Sequence, residues 1–218
     1  MIEHFLELFT HSALLTILFW TVAGYLLGST PFASLLTRWF TGKELSQVGD
    51  GNPGAYNAWV AGGWPIGVTA ILLDVGKGLI PVLMAQQIGG LSNWQMLPVA
   101  LAPILGHAFS PFRQFQNAKA VATTLGVWLG LAGLPGIIAF AVCAFLSMAF
   151  MEEHAWVVIS GMVGINLYCL FIAVTPWMIA AAVLNLILLS YTHRMELRRP
   201  VYIHNRLGEL LLRWRNIL

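Results

Sequence analysis

An all-α integral membrane protein with about seven transmembrane helices is the fold class this chain predicts. Three observations carry that expectation. The 218 residues are 58% hydrophobic and only 9% charged, with a mean hydropathy of +0.77, more apolar surface than a water-soluble domain of this size can bury. Seven apolar stretches come near the ~20 residues that a helix needs to cross a bilayer. The basic residues also collect on one side of the resulting topology.

The stretches run over 12–37, 64–88, 94–112, 118–133, 135–151, 155–174 and 176–193. The first lies behind Glu3 and Glu7 and has no basic leader, so it reads as a retained helix and not a signal peptide. The breaks at Gly133-Leu134-Pro135 and Val174-Thr175-Pro176 rest on one proline each, and a proline can kink a helix as well as end it. Seven spans put the 38–63 loop, the 113–119 loop, the 152–154 turn and the C-terminus on one side. Of the 11 lysines and arginines, Arg38, Lys43, Arg113, Lys119 and the six arginines from Arg194 onward fall there, and Lys77 lies within a span. The positive-inside rule makes that side cytoplasmic and leaves the N-terminus outside. Residues 1–200 read as one polytopic domain. After Pro200, Ile203, Leu207, Leu210, Leu211, Trp214 and Leu218 share a face, which predicts an amphipathic cytoplasmic helix over 201–218 resting on membrane lipid; a tail packed on the protein is the alternative.

Some functions are excluded early. A net charge of +2 argues against a nucleic-acid partner. Cys143 and Cys169 stand alone in apolar segments and read as packing residues, and no metal-ligand spacing or cofactor motif is present. Gly49-Asp50-Gly51-Asn52-Pro53-Gly54 has the spacing of a dinucleotide fingerprint, but the polar residues Lys43 to Val48 are no buried strand, so the match is coincidental.

Four polar features remain. The loop Gly49–Asn57 offers successive backbone N–H groups ahead of a helix N-terminus, an arrangement that suits a phosphate; a flexible connector is the plainer reading. Asp74 and Lys77 share a helix face three residues apart and read equally as a structural intramembrane pair or as the lining of a polar site. His107, near the cytoplasmic end of a span, reads equally as a general base or as a hydrogen-bonded structural histidine. His193 and Arg194 close the last span, where a cation complements the helix dipole.

The order of these pieces is more informative than any one of them. Gly28-Ser29-Thr30-Pro31-Phe32, the loop Gly49-x-Gly51-Asn52-Pro53-Gly54-Ala55-x-Asn57, Leu73-Asp74-x-x-Lys77-Gly78, Gly106-His107-x-Phe109, Lys119-x-Val121-Ala122-Thr123 and Tyr191-x-His193-Arg194 follow one another along the chain. The series resembles the PlsY-type acyl-phosphate:glycerol-3-phosphate acyltransferases of bacteria. That resemblance implies a seven-helix inner-membrane enzyme, active on its cytoplasmic side, that moves a fatty acyl group from acyl phosphate to the 1-hydroxyl of glycerol 3-phosphate and forms lysophosphatidic acid. It further implies that Gly49, Asp50, Gly51, Asn52, Gly54, Ala55 and Asn57 hold a phosphate, that Lys119 supplies a cation, and that His193 contacts glycerol phosphate. Ser29 and His107 would support the site, with Arg113, Thr123 and Arg194 beside them; His107 and His193 are the candidates for catalysis.

The chain departs from that pattern in a consistent direction. Asp50 stands where the family usually has serine, Val60 where it has arginine, and Asn117-Ala118-Lys119-Ala120 where it has Gly-Gly-Lys-Gly. Gln116 replaces a basic residue, Val157 the serine of an Arg-Tyr-x-Ser motif, and Glu196 an asparagine. A carboxylate about 4 Å from a phosphate charge costs about 4 kcal/mol at an effective dielectric of 20, so Asp50 must turn outward, pair with a basic neighbour or hold a divalent cation that bridges to the substrate. Arg113, basic at a usually apolar position, is the expected partner. Alternatives to an acyltransferase are a family member with another acceptor or no catalysis, and a small transporter built on Asp74 and Lys77.

Overall fold

Proline and glycine set the limits of most helices. The computed structural model describes residues 13–114 and 117–199; the tail expected to form an amphipathic helix, 201–218, and Gln116 lie outside them. Helix α1, Ala13–Ser29, stops where Thr30-Pro31 interrupts the ladder, and α2, Phe32–Thr41, starts directly after it. The expected span 12–37 is therefore two helices. Gly42, at φ +69°, ends α2 and donates its N–H to the Arg38 carbonyl.

The loop to α3 is shorter than expected. Helix α3 spans Ala55–Gln87 and contains a non-helical residue, Gly63 (φ +81°, ψ −178°). Residues 55–62, read from sequence as part of the 38–63 loop, form a short helical segment ahead of that break. Helix α4, Met96–Ala108, falls inside the expected 94–112 span. Helix α5, Val121–Met148, covers two expected spans in one helical run, and its one non-helical residue, Gly133 (φ +62°, ψ −157°), sits at the break read from Gly133-Leu134-Pro135. Helix α6, His154–Tyr168, continues through a π-helical turn, Cys169–Ala173. Helix α7, Pro176–Thr192, begins on a proline, which is tolerated in a first turn, and the single turn α8, Arg194–Leu197, follows.

Among the described residues, four stretches are long and apolar enough to cross a membrane: Ala13–Thr41, Ala55–Gln87, Val121–Met148 and His154–Ala173, with Pro176–Thr192 as a shorter apolar helix. Large apolar side chains such as Leu72, Phe145, Phe171 and Ile172 face outward, as expected where the surrounding solvent is lipid. The core joins α5 to α7 through a buried hydrogen bond, from Trp128 Nε1 to Asn185 Oδ1 at 2.9 Å.

Two close crossings position the polar residues. A Cβ at Gly106 would overlap the Tyr25 carbonyl, so α1 and α4 meet backbone to backbone beside Ser29 and His107. A Cβ at Gly78 would overlap the Thr123 carbonyl, and one at Gly126 the Val75 carbonyl, which locks α3 to α5 next to Lys77 and Thr123.

Candidate functional site

The glycine loop is held by its own carboxylate. Gly49 and Gly51 adopt φ of +58° and +73°, conformations open to glycine at little cost, and a Cβ on Gly49 would collide with Asn57 Oδ1. Asp50 Oδ1 accepts hydrogen bonds from the Asn52 N–H at 3.1 Å and from Asn57 Nδ2 at 2.8 Å, and Asn57 Nδ2 also donates to the Asn52 carbonyl at 2.8 Å. Asn57 is buried, in the first turn of α3. Gly54 is the N-cap of that helix and Ala55 its first residue.

Asp50 Oδ2 is bound by Lys119, with Nζ at 2.8 Å. Glu196 Oε1 lies 3.1 Å from the same ammonium. Burial works against the Asp50 charge, but hydrogen bonds from Lys119, the Asn52 amide and Asn57 outweigh it and take the carboxyl down to about 2. Burial likewise opposes the Lys119 charge, and the two carboxylates outweigh it and hold the ammonium above its usual value. The expected partner of Asp50 was Arg113. The structure pairs it with Lys119 instead, because Arg113 is held elsewhere by the carbonyl of His107.

The turn carrying Lys119 is tied to the end of α7. Asn117 Nδ2 donates to the Thr192 carbonyl at 2.8 Å, and the Ala118 N–H to the Ala108 carbonyl at 3.0 Å. Ala120, which caps α5, sits at φ +57°, a position glycine would take more cheaply. Buried His193 places Nδ1 2.9 Å from the Leu189 carbonyl and 3.1 Å from Thr192 Oγ1. A carbonyl only accepts, so Nδ1 carries the proton, and Nε2 carries the lone pair of the neutral ring. Arg194 turns away from this cluster: it donates to the Tyr191 carbonyl at 2.9 Å and lies over the Tyr191 ring at 4.2 Å.

A second group forms a narrow polar pocket between α1, α3 and α4. Ser29, Thr30, Asp74, Lys77, His107 and Arg113 line it, and Pro53 of the glycine loop reaches its wall. Lys77 Nζ is 2.7 Å from Asp74 Oδ1 and donates to the Thr30 carbonyl at 3.0 Å; both side chains are almost fully buried. The two residues form a buried ion pair in the wall of this pocket. His107 Nδ1 lies 3.2 Å from Thr123 Oγ1 and 3.9 Å from Asp74 Oδ1. Ser29 donates to the Tyr25 carbonyl at 2.7 Å and receives at its own carbonyl the Ser110 hydroxyl at 2.6 Å. Two cations against one carboxylate leave the pocket electropositive. Arg113 Nη1 is buried without a hydrogen-bond partner among the described residues, as in a site that admits an anion.

The candidates thus fall into two adjoining groups joined by residues 50–54, and Arg194 is the one turned away. Glu196 and Ser110 were not read as site residues. Glu196 carried a signal, an acid gained where cations were lost; Ser110 carried none, because its partner is a backbone carbonyl 81 residues away in sequence.

Comparison with known proteins gives the family. The family model for glycerol-3-phosphate acyltransferase matches residues 18–202. The chain belongs to the glycerol-3-phosphate acyltransferase family. A glycerol-3-phosphate acyltransferase of Maridesulfovibrio salexigens is 35% identical over 191 residues, covering 84% of this chain and 92% of that one. Glycerol-3-phosphate acyltransferase 1 of Thermotoga maritima is 33% identical over 190 residues, covering 80% and 93%. With glycerol-3-phosphate acyltransferase 4 of Dehalococcoides mccartyi the identity is 38% over 133 residues, a match that spans 61% of this chain and about half (56%) of that relative. The crystal structure of PlsY (YgiH), an integral membrane glycerol 3-phosphate acyltransferase, in its glycerol 3-phosphate form, superposes with a TM-score of 0.76 at 29% identity, covering 89% of this chain and 98% of that one.

Proposed function

We propose that this multi-pass membrane protein transfers a fatty acyl group from acyl phosphate to the 1-hydroxyl of glycerol 3-phosphate, on the cytoplasmic side of a bacterial inner membrane, through seven spans with the N-terminus outside. Family membership supports glycerol 3-phosphate acylation, and the charge asymmetry of the loops supports the orientation. In the reaction the hydroxyl oxygen attacks the carbonyl carbon of the mixed anhydride, the bond from that carbon to the oxygen bridging to phosphorus breaks, and phosphate leaves with the electron pair and takes up the hydroxyl proton. An acyl phosphate needs little activation, so the protein's task is to hold two anionic head groups side by side while the acyl chain stays in lipid.

The observation that carries this reading is the convergence on Lys119 of the glycine loop and the chain just beyond α7. A cation shared by the loop and the chain beyond α7, with the His193 ring close by and the electropositive pocket of Lys77 and Arg113 adjoining, supports a site for two anionic groups. Lys119 and the loop Gly49–Asn57 take one phosphate; the pocket takes a second anionic group. His193, with Nε2 as its acceptor, contacts glycerol phosphate. No cofactor or metal enters this scheme. The two carboxylates on Lys119 favour a second reading, a family member whose acceptor is not glycerol 3-phosphate. Purified protein in lipid, supplied with acyl phosphate and glycerol 3-phosphate, is expected to form lysophosphatidic acid. Folded protein that forms none, but acylates another alcohol, would establish the second reading.

A further inference from the structure

Lys119 already has an anion. Its Nζ lies between Asp50 Oδ2 at 2.8 Å and Glu196 Oε1 at 3.1 Å, carboxylates brought from opposite ends of the chain. All three side chains are partly open to water, so an incoming anion can reach them. Two negative charges around one ammonium leave this cluster net negative, the wrong sign for a phosphate. Asp50 cannot simply swing aside, because its other oxygen is fixed by the Asn52 amide and by buried Asn57. Glu196 is less constrained, in the single turn α8.

We propose that Asp50 and Glu196 act as an internal competitor for Lys119: they occupy the ammonium in the resting protein and set the affinity for the phosphate-bearing substrate, without taking part in acyl transfer. This rests on the reading that Lys119 holds a substrate phosphate. Phosphate binding is then an exchange, in which Glu196 is displaced and Asp50 remains as a nearby like charge. The pair determines specificity, because the more negative the head group, the more the tethered carboxylate opposes it. The geometry also separates the two jobs of Asp50. Oδ1 builds the loop and Oδ2 faces Lys119, so Asp50→Asn can keep the Oδ1 contacts while replacing the charged oxygen by an amide.

The test uses the full chain in lipid as wild type, Asp50→Asn, Glu196→Gln, the double variant and the charge-conserving Glu196→Asp. Two quantities are measured: KM and kcat for glycerol 3-phosphate, and the inorganic phosphate concentration that half-maximally raises the thermal unfolding midpoint. Each neutral variant is expected to lower KM about fivefold, and the double variant more than tenfold, the range for partly exposed charge pairs. The effect should fall on KM and not on kcat, the phosphate midpoint should drop in parallel, and Glu196→Asp should stay near wild type. Should Asp50→Asn fail to fold, Glu196→Gln carries the same test. Unchanged or raised KM and phosphate midpoints in active neutral variants overturn the competitor. If wild type forms no lysophosphatidic acid, the reading of function fails, and the phosphate titration alone still decides whether the carboxylates compete for Lys119.

Discussion

Replacing Asp74 by Asn strands Lys77. The Asp74 and Lys77 side chains are 3% and 2% exposed and lie 2.7 Å apart, and Lys77 also donates to the Thr30 carbonyl. Removing one member of a buried pair costs about 3–5 kcal/mol, because the other is left uncompensated, whereas replacing both by neutral groups costs far less. Arg113 lines the same pocket, so the carboxylate faces two cations and its loss should fall at the upper part of that range. Asp74→Asn is therefore expected to destabilise by about 4 kcal/mol or more and Lys77→Met by about 3 kcal/mol, and the double variant by less than either single. Denaturant unfolding of the four proteins in one detergent closes the thermodynamic cycle. Single losses below about 1 kcal/mol that simply add in the double variant would refute the reasoning, and with it the electrostatic description of the pocket.

Four further outcomes are expected. Ala120→Gly relieves a left-handed alanine and should raise stability by about 0.5–1 kcal/mol, read as a higher unfolding midpoint. Gly126→Ala drives a Cβ into the Val75 carbonyl and should cost about 1–3 kcal/mol, through separation of α3 from α5. Arg113→Ala removes a pocket cation and should raise KM for one of the two anionic substrates by at least about tenfold; unchanged affinity for both would remove Arg113 from the binding machinery. The Asp50 carboxyl, lowered from 3.8 to about 2, contributes stability that is fully present above its unfolded pKa and is lost as pH falls through the folded value. Lys119, its ammonium held above the usual lysine value, also keeps its charge near neutrality. Between about pH 5 and pH 8 the ratio of wild-type to Asp50→Asn KM should then change only with the second ionisation of the substrate phosphate at about pH 6, rising as that phosphate becomes a dianion; a ratio that falls toward one as pH rises through that window would mean that the Asp50–Lys119 pair is not the charge being read.

Helical, membrane-spanning architecture was legible because apolar length and composition report it directly. Helix breaks were legible where proline or glycine marks them: the breaks at Gly133 and Pro176 stand where the sequence puts them. The break at Thr30-Pro31 was hidden inside one apolar run, and the helical segment 55–62 was hidden because glycine and asparagine dominate its approach. In the site, Asp74 with Lys77 could be paired from their three-residue spacing. Asp50 could be seen to need a cation, but not which one, since Lys119 and Arg113 both lie in the same loop region. The choice is made by tertiary contacts that carry no local signal: Arg113 is taken by the His107 carbonyl, and the Lys119 turn is pinned to Thr192 across the bundle. Glu196 was visible as an extra acid, and its place beside Lys119 follows only from the short turn α8 that begins after His193.

In the proposed reaction Lys119, shared between the glycine loop and the turn after the last long helix, holds a substrate phosphate. The most direct measurement compares wild type with Lys119→Met in lipid, following lysophosphatidic acid formed from acyl phosphate and glycerol 3-phosphate. The account predicts product from wild type and a loss of at least about a hundredfold in kcat/KM for the variant, about 2.7 kcal/mol of transition-state stabilisation. Wild-type turnover that survives Lys119→Met within a few fold would contradict it.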